Sequence, residues 1–119
     1  MKIEFNCVTI YAKNVEKTVN FYAKYFDFSV SDLSEETFTI LDHESTNVSI
    51  FVHQAAKGVR HGQACIKLVF NVPSVDEFKE HSKAKGLNFG VIHRGDGYAF
   101  SNTKDPNGNN VQISSRVFK

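Results

Sequence analysis

The chain has 119 residues, close to the commonest size of a single domain, so two independently folding domains are not expected. Hydrophobic residues at 41% and charged residues at 23% are ordinary globular values, which excludes a disordered or fibrous chain. Fourteen Lys and Arg against thirteen Asp and Glu leave a formal charge of +1, so no cationic surplus is available for a run of phosphates and nucleic acid is not an expected partner.

From Ile3 to Ala12 the residues alternate, with Val8, Ile10 and Ala12 on one face and Cys7, Thr9 and Tyr11 on the other, which predicts a half-apolar strand. Asn14 then offers an N-cap, and Val15, Val19, Tyr22 and Phe26 fall at helical spacing with Lys13, Lys17 and Lys24 outside. Short β-branched or aromatic runs over 28–33, 37–41 and 47–52 predict three strands, separated by Ser34-Glu35-Glu36 and by the turn-forming 42–46 segment. The stretch 54–62, with Gly58 and Gly62 and no periodicity, reads as the linker.

The order then repeats. An alternating run over 64–72 predicts a strand, and Ser74 with Glu77 three residues on forms a capping box in front of a helix that Gly86 closes. Runs over 88–93, 98–103 and 109–115 predict three more strands, separated by Arg94-Gly95-Asp96-Gly97 and Lys104-Asp105-Pro106-Asn107-Gly108. Val75, Ser74 and Val72 each lie 60 residues after Val15, Asn14 and Ala12, so the plan is a duplicated βαβββ unit of an α+β protein.

No apolar run approaches the roughly 20 residues that span a bilayer, and Lys2, Glu4 and Asn6 break any signal-peptide core, so a cytoplasmic chain with no membrane partner is expected. Cys7 and Cys65 lack zinc-finger spacing and are expected to be free thiols. The eleven Phe residues with no Trp read as core rings rather than a base-stacking platform.

The stretch from Cys7 to Tyr22, followed by Phe26-Asp27-Phe28, resembles the opening module of the vicinal oxygen chelate superfamily, which includes glyoxalases, bleomycin-resistance proteins, fosfomycin-modifying enzymes and extradiol dioxygenases. The run from Lys104 to Ile113 resembles that family's terminal turn and strand, and with the 72–86 segment the resemblance covers nearly the whole chain. It implies two βαβββ modules, 1–54 and 63–119 joined by a 55–62 linker in one domain, forming a cupped, incompletely closed mixed sheet. It also implies a divalent metal held by two His and one or more Glu.

Aligned to the family, the first-strand His falls at Cys7, the second-module His at Lys67 and the last-strand Glu at Gln112. The fourth-strand position falls at Ser49 by one matching and at Val52 by the offset of 60. An ammonium and an amide are poor ligands for a divalent cation, so neither a metal nor any other cofactor is expected. A site displaced onto His53, His61 or His93 has no short ligand spacing, while His43 and His81 read as surface residues.

The faces that carry the replaced ligands are polar, with Cys7, Thr9 and Tyr11 on the first strand, Lys67 and Asn71 on the fifth, and Gln112 on the last. Ser49, Phe51 and His53 share one face of the fourth strand, and Tyr98 and Phe100 add rings from the seventh. These eleven residues are the candidate ligand-binding set. Lys67 supplies a charge for a carboxylate, phosphate or phenolate, so the expected partner is a small organic or anionic ligand. The leading function is therefore a metal-free drug- or metabolite-binding protein, expected to form a homodimer as the resemblance implies. The alternatives are a lyase, isomerase or dioxygenase-type enzyme with an unorthodox site, and a regulatory protein whose cup is filled by its own side chains.

Overall fold

A computed structural model describes residues 1–119, which divide into two compact units, Met1–Arg60 and His61–Lys119. In the first unit β1 (Cys7–Ala12) is followed by α1 (Val15–Phe26), β2 (Phe28–Val30), β3 (Phe38–His43) and β4 (Ser49–Gln54). These strands form a sheet in the order β1-β4-β3-β2, with β1 parallel to β4 and the other pairs antiparallel. The second unit repeats the plan with β5 (Lys67–Asn71), α2 (Val75–Ala84), β6 (His93–Arg94), β7 (Ala99–Lys104) and β8 (Asn110–Ser114), in the sheet order β5-β8-β7-β6. A short 3₁₀ turn, Arg116–Phe118, follows.

Each helix starts where a side-chain cap satisfies an end donor that would otherwise lack an intrahelical partner. Asn14 Oδ1 accepts from the Lys17 N–H at 3.0 Å, and Ser74 Oγ accepts from the Glu77 N–H at 3.2 Å. The helices end differently. Asp27 takes a left-handed conformation (φ 62°) after α1, a geometry that short polar side chains tolerate. After α2, Gly86 (φ 102°) donates to Lys83 O while Leu87 donates to Ser82 O, the paired bonds of a Schellman motif.

Alternation along the strands gives each sheet a buried and an open face. Ile10, Ala12, Leu41, Ile50 and Val52 lie on the buried face of the first sheet, the side that also buries Phe21, Tyr22 and Phe26 of α1. In the second sheet Ala99, Ser101, Val111 and Ile113 are buried. The Ser101 hydroxyl, fully buried, is satisfied by Gly90 O at 2.8 Å.

Several expected elements are shorter or shifted. The first strand begins at Cys7 rather than Ile3, because the ladder with β4 opens at the Asn6 carbonyl, which accepts from the Ser49 N–H. The 28–33 run ends as a strand at Val30, where the Ser31 hydroxyl accepts from the Leu33 N–H and turns the chain. The 64–72 strand contracts to Lys67–Asn71, and the 88–93 strand contracts to the His93–Arg94 pair. There Phe89 is buried, Gly90 makes the one backbone bond across, to Asn102 O, and Asn88 O accepts from the Thr103 hydroxyl instead of from a ladder N–H. The buried stripe of α1 runs through Thr18, Phe21, Tyr22 and Phe26 instead of Val15 and Val19, which are half-buried. Thr18 can be buried because its hydroxyl bonds back to Asn14 O at 2.9 Å. His43 is not a free surface residue: its ring packs edge-on to Phe28 at 4.9 Å and its Nδ1 accepts from the Ser45 N–H.

In the second unit the segment entering β5 lies close against the β7–β8 turn. A Cβ on Gly108 would meet Gly62 Cα at 3.2 Å, a tight contact, whereas one on Gly62 would meet its nearest neighbour at an ordinary 3.7 Å; both residues have positive φ (78° and 74°), which favours glycine at each. Asp105, buried in that turn, accepts from the Asn107 N–H, the Asn109 N–H and the Asn109 amide.

Candidate functional site

On the open face of the first sheet the parallel ladder sets Cys7 beside Ser49, Thr9 beside Phe51 and Tyr11 beside His53. The antiparallel partner β3 continues these rows with Asp42, Ile40 and Phe38. Phe38 stacks almost parallel on Phe51, with centroids 5.6 Å apart, and on His53 at 6.3 Å, while Tyr11 tilts toward His53 at 5.7 Å. Four rings thus form one aromatic patch, and Tyr11 is 58% exposed within it. At the other end of the face the Ser49 hydroxyl donates to Asp42 Oδ1 at 2.7 Å. Cys7 is exposed, and partial shielding by its surroundings pushes its thiol above the ordinary value, which keeps it protonated and weakly nucleophilic.

The second sheet repeats this geometry with different chemistry. Lys67 lies beside Asn110, Val69 beside Gln112 and Asn71 beside Ser114, and β7 continues the rows with Lys104, Asn102 and Phe100. Lys67 Nζ and Gln112 Nε2 both donate to Asn102 Oδ1, at 3.3 and 2.9 Å. One residue pair along β7 from Asn102, Phe100 stacks on His93 at 5.0 Å and on Tyr98 at 6.2 Å. Tyr98 is covered from outside by the guanidinium of Arg116 and the ammonium of Lys119, 5.1 and 5.5 Å from its ring centre.

The registers also settle the fourth-strand position left open between Ser49 and Val52. Gln112 faces Val69 in the second ladder, and Thr9, the counterpart of Val69, faces Phe51 in the first. Phe51 therefore occupies the place of Gln112, and Ser49 that of Asn110. The offset of 60 fails here because the second unit gains a residue before its last strand, and Val52, on the opposite face, is buried.

A divalent metal does not fit the residues at the family's ligand positions. The Lys67 ammonium has no lone pair, Gln112 offers only a neutral amide oxygen and Phe51 has no donor, which leaves Cys7 as a single strong ligand where a divalent ion needs about three or four. No three His, Cys, Asp or Glu side chains come together as a group able to hold a metal ion.

Asn102, Lys104 and Phe38 complete the open faces and were not among the expected site residues. The signal is present for two of them, since Asn102 alternates with Phe100 in the 98–103 run and Phe38 lies in the 37–41 run, whereas the sequence assigns Lys104 to the following turn and the structure extends β7 to include it.

Two open-faced βαβββ units of this kind define a class, the α+β glyoxalase/bleomycin-resistance fold. The chain belongs to the Glyoxalase/Bleomycin resistance protein/Dioxygenase superfamily, whose sequence profile matches residues 4–113. No curated protein matches it significantly. Among solved structures, TnmS3, an antibiotic binding protein from Streptomyces sp. CB03234, has 15% identity and a TM-score of 0.76, covering 95% of this chain and 96% of its own. The fosfomycin resistance protein FosX from Listeria monocytogenes has 17% identity and a TM-score of 0.76, covering 96% and 93%. A bleomycin resistance determinant encoded on the transposon Tn5 has 14% identity and a TM-score of 0.70, covering 94% and 97%. No helix of the chain is long and apolar enough to cross a membrane.

Proposed function

We propose that the chain is a small-molecule-binding protein that takes planar aromatic anions on its open sheet faces without a metal or other cofactor. The observation that carries this reading is the convergence of Lys67 Nζ and Gln112 Nε2 on Asn102 Oδ1 beside the stacked Phe100 ring. It sets a charge and an oriented amide next to an aromatic surface. Such a surface draws affinity from ring contact and orientation from a few polar groups. The Tyr11, His53, Phe38 and Phe51 patch gives the first unit a second stacking surface. Similarity in fold to an antibiotic binding protein and to two resistance proteins supports a drug- or metabolite-sized ligand.

Calorimetric titration with benzoate tests the reading. Lys67→Met is expected to weaken binding by about 1.5–3 kcal/mol, toward the lower end because Lys67 is exposed. Equal affinity in the parent and in Lys67→Met would contradict it. Elemental analysis is expected to find no stoichiometric divalent metal, and about one firmly held ion per chain overturns the metal-free part. We further propose that the chain acts as a homodimer, a state supported by exposed apolar side chains such as Ile3, Phe5, Val117 and Phe118. Sedimentation showing a monomer at micromolar concentration counts against that.

A further inference from the structure

The formal charge of +1 conceals a division between the units. Residues 1–60 hold six Lys and Arg against eight Asp and Glu, whereas residues 61–119 hold eight against five. Two of those eight, Lys67 and Lys104, stand on the open face of the second sheet. Lys67 and Lys104 flank Asn110 in the same cross-strand row, two strand spacings or about 9–10 Å apart at the backbone. Lys104 Nζ donates to Asn110 Oδ1 at 2.6 Å and Lys67 Nζ to Asn102 Oδ1 at 3.3 Å.

Neither ammonium has a carboxylate partner. Lys2 pairs with Glu4 and Arg94 with Asp76, and neither pair involves Lys67 or Lys104. The acidic residues of the second unit lie elsewhere: Asp76, Glu77 and Glu80 on α2, Asp96 in the β6–β7 turn, and Asp105 buried with its oxygens turned to the 107–109 backbone and amide. Each ammonium gives one of its three N–H donors to a neutral amide, which leaves two donors and a whole charge on each side of the row.

We infer that Lys104 is a second anion-binding residue and that the ligand carries a doubly charged oxyanion, of the phosphomonoester or phosphonate class, across Lys67 and Lys104. This rests on the proposed binding of aromatic anions and extends it. One negative charge answers one ammonium, as in benzoate; two ammoniums without carboxylate neighbours are matched by a dianion with three acceptor oxygens. In the corresponding row of the first unit Asp42 stands where Lys104 stands and Cys7 where Lys67 stands, so that unit lacks the device.

The test titrates the full chain at pH 8 with phenyl phosphate, with its monoanionic methyl ester and with benzoate, at one ionic strength. Phenyl phosphate is expected to bind about tenfold more tightly than the methyl ester, which is one charge-assisted contact. Lys104→Gln is expected to reduce phenyl phosphate affinity about five- to tenfold and to change the two monoanions less than about twofold. If the monoanions bind through Lys67 but phenyl phosphate shows no advantage, or if Lys104→Gln affects all three alike, the dianion assignment is wrong while the binding reading stands. If none of the three binds, the proposed function itself fails and the dianion assignment falls with it.

Discussion

The two units share a backbone plan and differ on one face. Their strands pair in the same order and register, both helices begin at a capped residue 60 positions apart, and both sheets bury aliphatic residues on the same side. On the open side, Cys7, Ser49 and Asp42 in the first unit are matched by Lys67, Asn110 and Lys104 in the second. Thr9, Phe51 and Ile40 are matched by Val69, Gln112 and Asn102 in the same way. Even the cross-strand hydrogen bond survives with its charge reversed, Ser49 to Asp42 in one and Lys104 to Asn110 in the other. Packing constrains only the buried side of a half-covered sheet, so the other side is free to carry different chemistry on each copy.

The sharpest way to break this comparison is to exchange the sides. Leu41→Ala and Ile113→Ala, fully buried in one unit each, are expected to cost about 2–5 kcal/mol in urea unfolding. Substitutions at the open positions Thr9 and Val69 are expected to stay within about 0.5 kcal/mol. Comparable losses on both sides would mean that the open faces are packed after all.

A smaller difference is expected between the turns that join the last two strands of each unit. Asp105→Ala removes an acceptor for two backbone N–H groups and one amide in a buried turn and is expected to cost about 1–3 kcal/mol. The first unit's turn uses the half-buried His43, whose Nδ1 accepts from one backbone N–H, and the turn residues 44–48 themselves are exposed. His43→Ala is therefore expected to destabilise less, measured by the same unfolding curves.

The caps provide the matched control. Asn14→Ala and Ser74→Ala are each expected to cost about 1 kcal/mol, and a difference well beyond that would show that one helix depends on its cap more than the other.

The smallest effect concerns the Arg94–Asp76 ion pair of the second unit. The Arg94 hydrogen bond holds the Asp76 carboxyl below the usual carboxylate value, so its contribution is present above the unfolded-state pKa and is lost as pH falls through the folded-state one. Both groups are exposed and screened, so Asp76→Asn is expected to flatten only slightly the acid side of a thermal stability profile. A clear loss at neutral pH from Asp76→Asn would indicate a role beyond this pair.

The features most legible in the sequence were those set by local chemistry. Asn14 and Ser74 mark helix starts because their side chains act on residues three positions on, and the alternation of β1 and β4 separates buried from open residues without knowledge of neighbours. Features set by partners were not. Val15 and Val19 fit a helical stripe as well as Thr18 and Phe21 do, and only the sheet against α1 decides which is buried. The 88–93 run has strand composition, but a strand needs a ladder, and β7 offers one bond at Gly90 and a pair at His93 and Arg94. The candidate site divides similarly: Lys67, Gln112 and most of the rings are found by alternation, and Asn102 shares that alternation with Phe100, but its role as common acceptor for Lys67 and Gln112 emerges only once three strands are in register.

The close approach of Gly62 to Gly108 determines where this chain tolerates lengthening. At Gly58 an added Cβ meets nothing within 4 Å, and one turn bond, Val59 N–H to Ala56 O, spans the spot. Four residues later the backbone is seated against the β7–β8 turn. An inserted peptide or a protease nick is therefore absorbed at Gly58 but, at Gly62, displaces the turn that Asp105 organises. The connection between the two copies has a loose half and a fastened half, and the fastened half belongs to the second unit.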